Sequence, residues 1–160
     1  MLELADVMAE HRVLEPSCGK GDILDALREE CPGIELHAIE RYRSLADVLA
    51  AKGHEVEFGD FMVHQARYDR IVMNPPFEKG QDMVHIQHAF SLLAADGRLV
   101  SVISEGPFFR SDKRSTAFRL WLENVSGESE ELPEDAFQRR DAFRETGVRT
   151  RLVTITKKRN

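Results

Sequence analysis

The chain has 160 residues, 42% of them hydrophobic and 31% charged, and a net charge of −6. That length and mix suit one globular domain over residues 1–160 with a real core, and the negative balance argues against a general polyanion binder. No apolar run is long enough to cross a membrane and no charged-then-apolar leader opens the chain. Its two cysteines, Cys18 and Cys31, form neither a disulfide framework nor a ligand cluster, so a reduced cytoplasmic setting is expected.

Arg12 to Pro16 reads as a short apolar strand, Ser17-Cys18-Gly19-Lys20-Gly21 as a tight loop, and Asp22 as the cap of a helix to about Glu30 with Ile23, Leu24 and Leu27 inward. After a Pro32-Gly33 turn, 35–39 alternates as a strand ending at Glu40. Residues 43–52 form a helix closed by Gly53, and 55–58 form a third strand followed by Gly59-Asp60-Phe61. Tyr68 to Met73 is a fourth strand, 82–93 a helix, and Asp96-Gly97 a turn into a fifth strand, 98–103. Strands alternating with helices of about ten residues predict an α/β fold with a central, mostly parallel sheet. The tail differs. A helix over 115–123 carries Phe118, Trp121 and Leu122 inward, a short strand lies at 130–132, 126–146 is a polar arginine-rich loop, and 148–156 is a long final strand.

Charge divides the chain. Residues 101–160 hold 12 Lys/Arg and 10 Asp/Glu, whereas 1–100 hold 10 and 18. The basic residues cluster at Arg110, Lys113, Arg114 and Arg119, at Arg139, Arg140, Arg144, Arg149 and Arg151, and at 157–159. Each cluster is either a solvated surface or a meeting place for a phosphate backbone.

The most informative run is Asn74-Pro75-Pro76-Phe77 at the end of the fourth strand. Two prolines stop the ladder, which leaves the Asn74 amide and the Pro75 carbonyl as neutral acceptors at the sheet's C-terminal lip, with Phe77 beside them. That set suits an amino group on a flat ring: two acceptors for two N–H bonds, and an aromatic to stack on its face. Upstream, Gly19 and Gly21 open the first helix, where backbone N–H groups approach a ligand, and Glu40 ends the next strand, where a carboxylate accepts ribose hydroxyls. Leu24 replaces the third glycine of the dinucleotide fingerprint, and Glu15 precedes the loop, which suits a cofactor with a cationic amino-acid end such as S-adenosylmethionine. Asp60 fits an adenine amino group and Phe61 an adenine face. Each also has a plain structural role, Glu15 and Asp60 as turn or cap residues and Phe61 as core. Glu15, Glu40, Asp60 and Asn74 all fall at C-terminal strand ends, where open α/β sheets bind ligands.

On these residues, from about Leu14 to Gly106, the chain resembles the class I S-adenosylmethionine-dependent methyltransferases, with their Rossmann-like sheet and antiparallel last strand. Its pattern is closest to the N6-adenine DNA methyltransferases of the Asn-Pro-Pro-Phe type. The resemblance implies S-adenosylmethionine as cofactor, held by Glu15, Pro16, Ser17, Gly19, Gly21, Glu40, Arg41, Asp60, Phe61 and Asn74. It implies catalysis by Asn74, Pro75, Pro76 and Phe77. A flipped adenine would stack on Phe77, with Phe108, Phe109 and Arg110 as further substrate contacts and, as the alternative, Phe108 or Phe109 plugging the core. RNA guanine-N2 and protein glutamine methyltransferases share the Asn-Pro-Pro-Phe or Asn-Pro-Pro-Tyr run and remain alternatives, as does a non-catalytic or partner-dependent subunit. Eleven residues precede the first strand, where the family has a helix and a Thr-Pro-type segment. No recognition domain follows the core. The expected partners are therefore nucleic acid, DNA before RNA, and a second copy or a specificity subunit, with no membrane. His85 and His88, one helical turn apart, lack a third ligand and read as surface histidines, so no metal is expected.

Overall fold

The computed structural model describes residues 1–132 and 149–159. Its elements are α1 (Leu2–Ala5), β1 (Arg12–Glu15), α2 (Asp22–Glu30), β2 (Glu35–Glu40), α3 (Ala46–Ala51), β3 (Glu57–Phe58), β4 (Tyr68–Met73), α4 (Gln81–Ser91), β5 (Leu93–Ser104), α5 (Gly106–Phe109), α6 (Lys113–Asn124), β6 (Glu128–Glu131) and β7 (Thr150–Thr156). Seven strands form one sheet in the order β3-β2-β1-β4-β5-β7-β6. β1 to β5 run parallel, and β7 lies antiparallel between β5 and β6. The Rossmann-like α/β sheet with an antiparallel last strand is the architecture the sequence predicts.

The central strands are apolar on both sides because helices cover both faces. Ile71, Met73, Leu99 and Ile103 pack with Met83, Ile86 and Ala89 of α4 and Phe118 and Leu122 of α6. Val72, Val100 and Val102 face the other way, onto Ala5 of α1 with Ile23 and Phe77 at the margin. Cys18, Leu24, Ala38 and Leu49 close a third cluster between α2, α3 and β2. Among the described residues no helix is long and apolar enough to cross a membrane.

Boundaries differ where tertiary contacts override local signals. Asp22 lies inside the first turn of α2. The capping position belongs to Gly21, whose φ of 88° a side chain would resist. The helix expected over 43–52 begins as a 3-10 turn, Arg43–Leu45. β3 is only two residues long, since it pairs β2 solely at Ile39 and Glu40. Asp96-Gly97 is not a turn before β5 but an irregularity within it: the register moves from Tyr68↔Leu93 to Arg70↔Arg98. α6 starts earlier than its apolar residues suggest, because the Asp112 carboxylate accepts from the backbone N–H of Arg114 and Ser115. β6 begins at Glu128, ahead of the expected 130. Val148, the 133–146 part of the expected loop, and Arg139, Arg140 and Arg144 lie outside the described residues.

Candidate active site

Because β1 to β4 are parallel, their C-terminal ends form one lip, along which Asp60, Glu40, Glu15 and Asn74 follow one another in the order of the strands. The chain winds outward from β1 to β3 and then returns to β4 on β1's other side. The crevice between β1 and β4 is therefore the topological switch point, the usual ligand position in such sheets. Glu15 stands on one side of it and Asn74 on the other.

Glu15 is 1% exposed. Neither carboxyl oxygen has a hydrogen-bond partner among the described residues. Burial pushes its pKa up to about 8, opposed in part by the nearby Ser17 backbone N–H, which falls short of hydrogen-bond geometry, and reinforced by the charges of Glu40 and Asp22. A buried carboxyl without a partner there lacks the cation or donor that ordinarily accompanies one. Glu40, also buried, has a different situation: its two oxygens accept from the backbone N–H of Gly19 at 2.8 Å and of Tyr42 at 2.7 Å. It stitches the loop after β1 to the end of β2. Each carboxylate oxygen retains a lone pair for a hydroxyl. Pro16 is buried and Ser17 half-buried below this loop, while Arg41 is exposed beside it.

Behind the loop stands His54, a residue the sequence does not signal. A Cβ on Gly21 would come within 2.9 Å of the His54 ring. His54 is buried, and its Nε2 faces the Asp25 carboxylate at 2.7 Å. Burial and the charges of Glu15 and Glu40 push the Cys18 thiol up to about 12, away from the thiolate form.

Asp60 caps a 3-10 turn, Phe61–Val63, by accepting from the Met62 N–H, and is exposed at the lip. Phe61, expected against an adenine face, takes its core alternative: it is 3% exposed, with its ring 5.5 Å from His85 and 4.8 Å from His88. Those two histidines are half-buried rather than superficial. His88 contacts the backbone carbonyl of His64 at 3.1 Å. Burial lowers the His85 pKa, and its Nδ1 has no partner among the described residues. No cluster of metal-binding residues occurs among the described residues.

On the target side, Asn74 is exposed, Pro75 buried, and Pro76 and Phe77 half-buried, Phe77 lying against the Val72–Val100–Val102 cluster. Asp82, fully buried in the first turn of α4, accepts from the backbone N–H and hydroxyl of Ser104 and so ties the segment behind Phe77 to the end of β5. The aromatic pair after β5 divides. Phe108 is half-buried against the main core with the Arg151 guanidinium 4.8 Å from its ring centre, while Phe109 is 68% exposed. Arg110 is exposed. Arg114 and Arg119, grouped by sequence with the phosphate-seeking residues, instead donate to backbone carbonyls: Arg114 to Lys79 and Gly80, Arg119 to Pro107 and Arg110.

The family model for the methyltransferase small domain matches residues 1–111. No curated protein matches. Among solved structures, the M protein of the type I restriction enzyme EcoKI is 16% identical with a TM-score of 0.76, over 98% of this chain and 42% of that one. TrmN from Thermus thermophilus is 20% identical with a TM-score of 0.66, over 98% and 46%. Coclaurine N-methyltransferase, bound to N-methylheliamine and SAH, is 13% identical with a TM-score of 0.65, over 98% and 68%. At these identities the likeness establishes the fold, and the chain spans less than half the length of the first two.

Proposed function

The chain belongs to the methyltransferase small domain family, and from that premise we propose that it transfers the methyl group of S-adenosylmethionine to an exocyclic amino nitrogen, with N6 of adenine in DNA as the target. The observation that carries this reading is the pairing across the β1–β4 crevice of a buried, unpartnered Glu15 with an exposed Asn74 beside buried Pro75. One group suits a cationic cofactor end and the other an amine.

When bound, S-adenosylmethionine supplies an electrophilic methyl on a sulfonium. Glu15 holds the ammonium end, the free lone pairs of Glu40 hold the ribose hydroxyls, and Asp60 accepts from the adenine amino group. Gly19 leaves room for the cofactor, since nothing lies within 4 Å of where its Cβ would stand. Asn74 Oδ1 and the Pro75 carbonyl accept the two N–H bonds of the target amine, which raises electron density on nitrogen and favours its pyramidal form. The contribution is positioning and electrostatics rather than acid–base chemistry. Phe77 and the exposed Phe109 supply stacking surfaces, and Arg110, which follows Phe109 in the chain and is exposed, is available to a phosphate. A nucleic-acid target is supported by the likeness to the M protein of a type I restriction enzyme, and a further subunit is the partner class we propose with it.

Tritium transfer from labelled S-adenosylmethionine to DNA, RNA and protein, followed by nucleoside and amino-acid analysis, tests the reading. Label in N6-methyladenine is the expected result. Label in N2-methylguanine or glutamine overturns the adenine assignment, and no transfer despite cofactor binding overturns catalysis by this chain alone.

A further inference from the structure

The segment that follows Asn74-Pro75-Pro76-Phe77 turns sharply before α4 begins. Lys79 has φ 53° and ψ 23°, and Gly80 has φ 69° and ψ 31°, so two successive residues occupy the left-handed region. For Lys79 that conformation is sterically unfavourable and persists only if something holds it. The turn's own backbone bond, from Gly80 N–H to the Phe77 carbonyl, is 3.2 Å long. The Gln81 N–H also donates to the Glu78 carbonyl, and a hold from outside the turn comes from α6. The two terminal nitrogens of Arg114 donate separately, one to the Lys79 carbonyl at 2.7 Å and one to the Gly80 carbonyl at 3.0 Å. The planar guanidinium matches two adjacent acceptors in a way one ammonium cannot. Five residues further along α6, Arg119 reaches the other target-side loop, one terminal nitrogen donating to both the Pro107 and the Arg110 carbonyls on either side of Phe108-Phe109.

We infer that Arg114 is a positioning residue: by forking onto the Lys79 and Gly80 carbonyls it holds the left-handed turn behind Phe77 and so fixes where Asn74, Pro75 and Phe77 meet a target. This rests on the reading of Asn74–Phe77 as the target-binding segment. It removes Arg114 from the residues available to a phosphate backbone. α6, which touches none of the reacting atoms, becomes the brace of the target lip.

The test uses the full chain with Arg114→Ala and Arg114→Lys, and reads amide hydrogen exchange across residues 77–81 without substrate, cofactor affinity by calorimetry, and kcat and KM for transfer to DNA. Both variants are expected to raise exchange at the Gly80 amide by about tenfold or more, as a local opening would. Both should lower kcat by about a hundredfold, as a misplaced reacting geometry does, with cofactor affinity unchanged. Arg114→Lys behaving as wild type would show that charge, not the fork, is what matters, and would overturn the inference. So would unchanged exchange in Arg114→Ala together with a shallower salt dependence of DNA binding, the signature of a phosphate contact. Exchange is independent of any reaction, so the two readings fail separately. If Asn74→Ala retained full transfer, the target-segment reading would fall, and the clamp would be judged by exchange alone.

Discussion

The cofactor lip and the target lip are built by opposite means. Around β1 and β2 the loops are held by carboxylates at strand ends and by backbone: Glu40 binds the N–H groups of Gly19 and Tyr42, and Cys18 N–H donates to the Ile39 carbonyl at 3.1 Å. Around β4 and β5 the loops are held from outside, by Arg114 and Arg119 of α6 and by Asp82 of α4. The first arrangement leaves one buried carboxyl, Glu15, unsatisfied. The second satisfies its cations on carbonyls and leaves its aromatic Phe109 in solvent. On the proposed reading, the contrast is between a site for a small charged ligand and a surface for a flat one.

Asn74→Ala probes the target side with the largest expected effect. Transfer should fall about a hundred- to a thousandfold, in the range for one preorganised hydrogen-bond partner. Calorimetry should meanwhile show cofactor affinity unchanged. A parallel loss of cofactor affinity would merge the two lips into one.

Glu15→Gln probes the other side through stability. The folded-state pKa is raised from the ordinary 4.5 to about 8. The contribution of Glu15 is therefore fully present below the ordinary value and is lost as pH rises towards about 8. Over that window the unfolding free energy of the wild type should decline by a few kcal/mol, and that of the glutamine variant should not. Denaturant titrations at a series of pH values measure both slopes, and parallel profiles would mean that Glu15 is not an isolated buried acid.

Gly21→Ala should cost about 1–3 kcal/mol, because it combines a left-handed φ with a clash against the buried His54 ring. Thermal unfolding reads the loss. Weaker cofactor binding with unchanged KM for the target would confine the damage to the first lip.

The smallest effect separates exposed cations from those held on carbonyls. Arg110→Ala and Lys113→Ala, at exposed residues, should each reduce the salt slope of DNA binding by about 1, whereas Arg119→Ala should leave it unchanged. Equal reductions for all three would place Arg119 on phosphate after all.

Much of the cofactor lip was legible because its information is local. A parallel strand that ends in an acid places that acid at the lip whatever the rest of the chain does, so Glu15, Glu40, Asp60 and Asn74 could be aligned from strand ends alone. Asn74-Pro75-Pro76 stops a strand through the missing N–H of proline, which is equally local. The residues the sequence left unread act across long separations. His54 closes on Gly21 from beyond α3, Asp82 reaches Ser104 across 22 residues, and Arg114 reaches Lys79 across 35. Arginine runs look alike in sequence whether they meet phosphate or a carbonyl.

Sequence by itself thus determined the strand-and-helix alternation, the parallel sheet and the row of acceptors along its lip, since each follows from periodicity and from backbone chemistry within a few residues. Only the tertiary structure decided that Phe61 enters the core and Phe108 lies half-buried against it while Phe109 stays outside, that Glu15 goes without a partner among the described residues while Glu40 has two, and that Arg114 and Arg119 donate to backbone carbonyls. Those outcomes depend on which distant groups share a desolvated neighbourhood, and burial and hydrogen-bond satisfaction are properties of that neighbourhood rather than of any residue's neighbours in the chain.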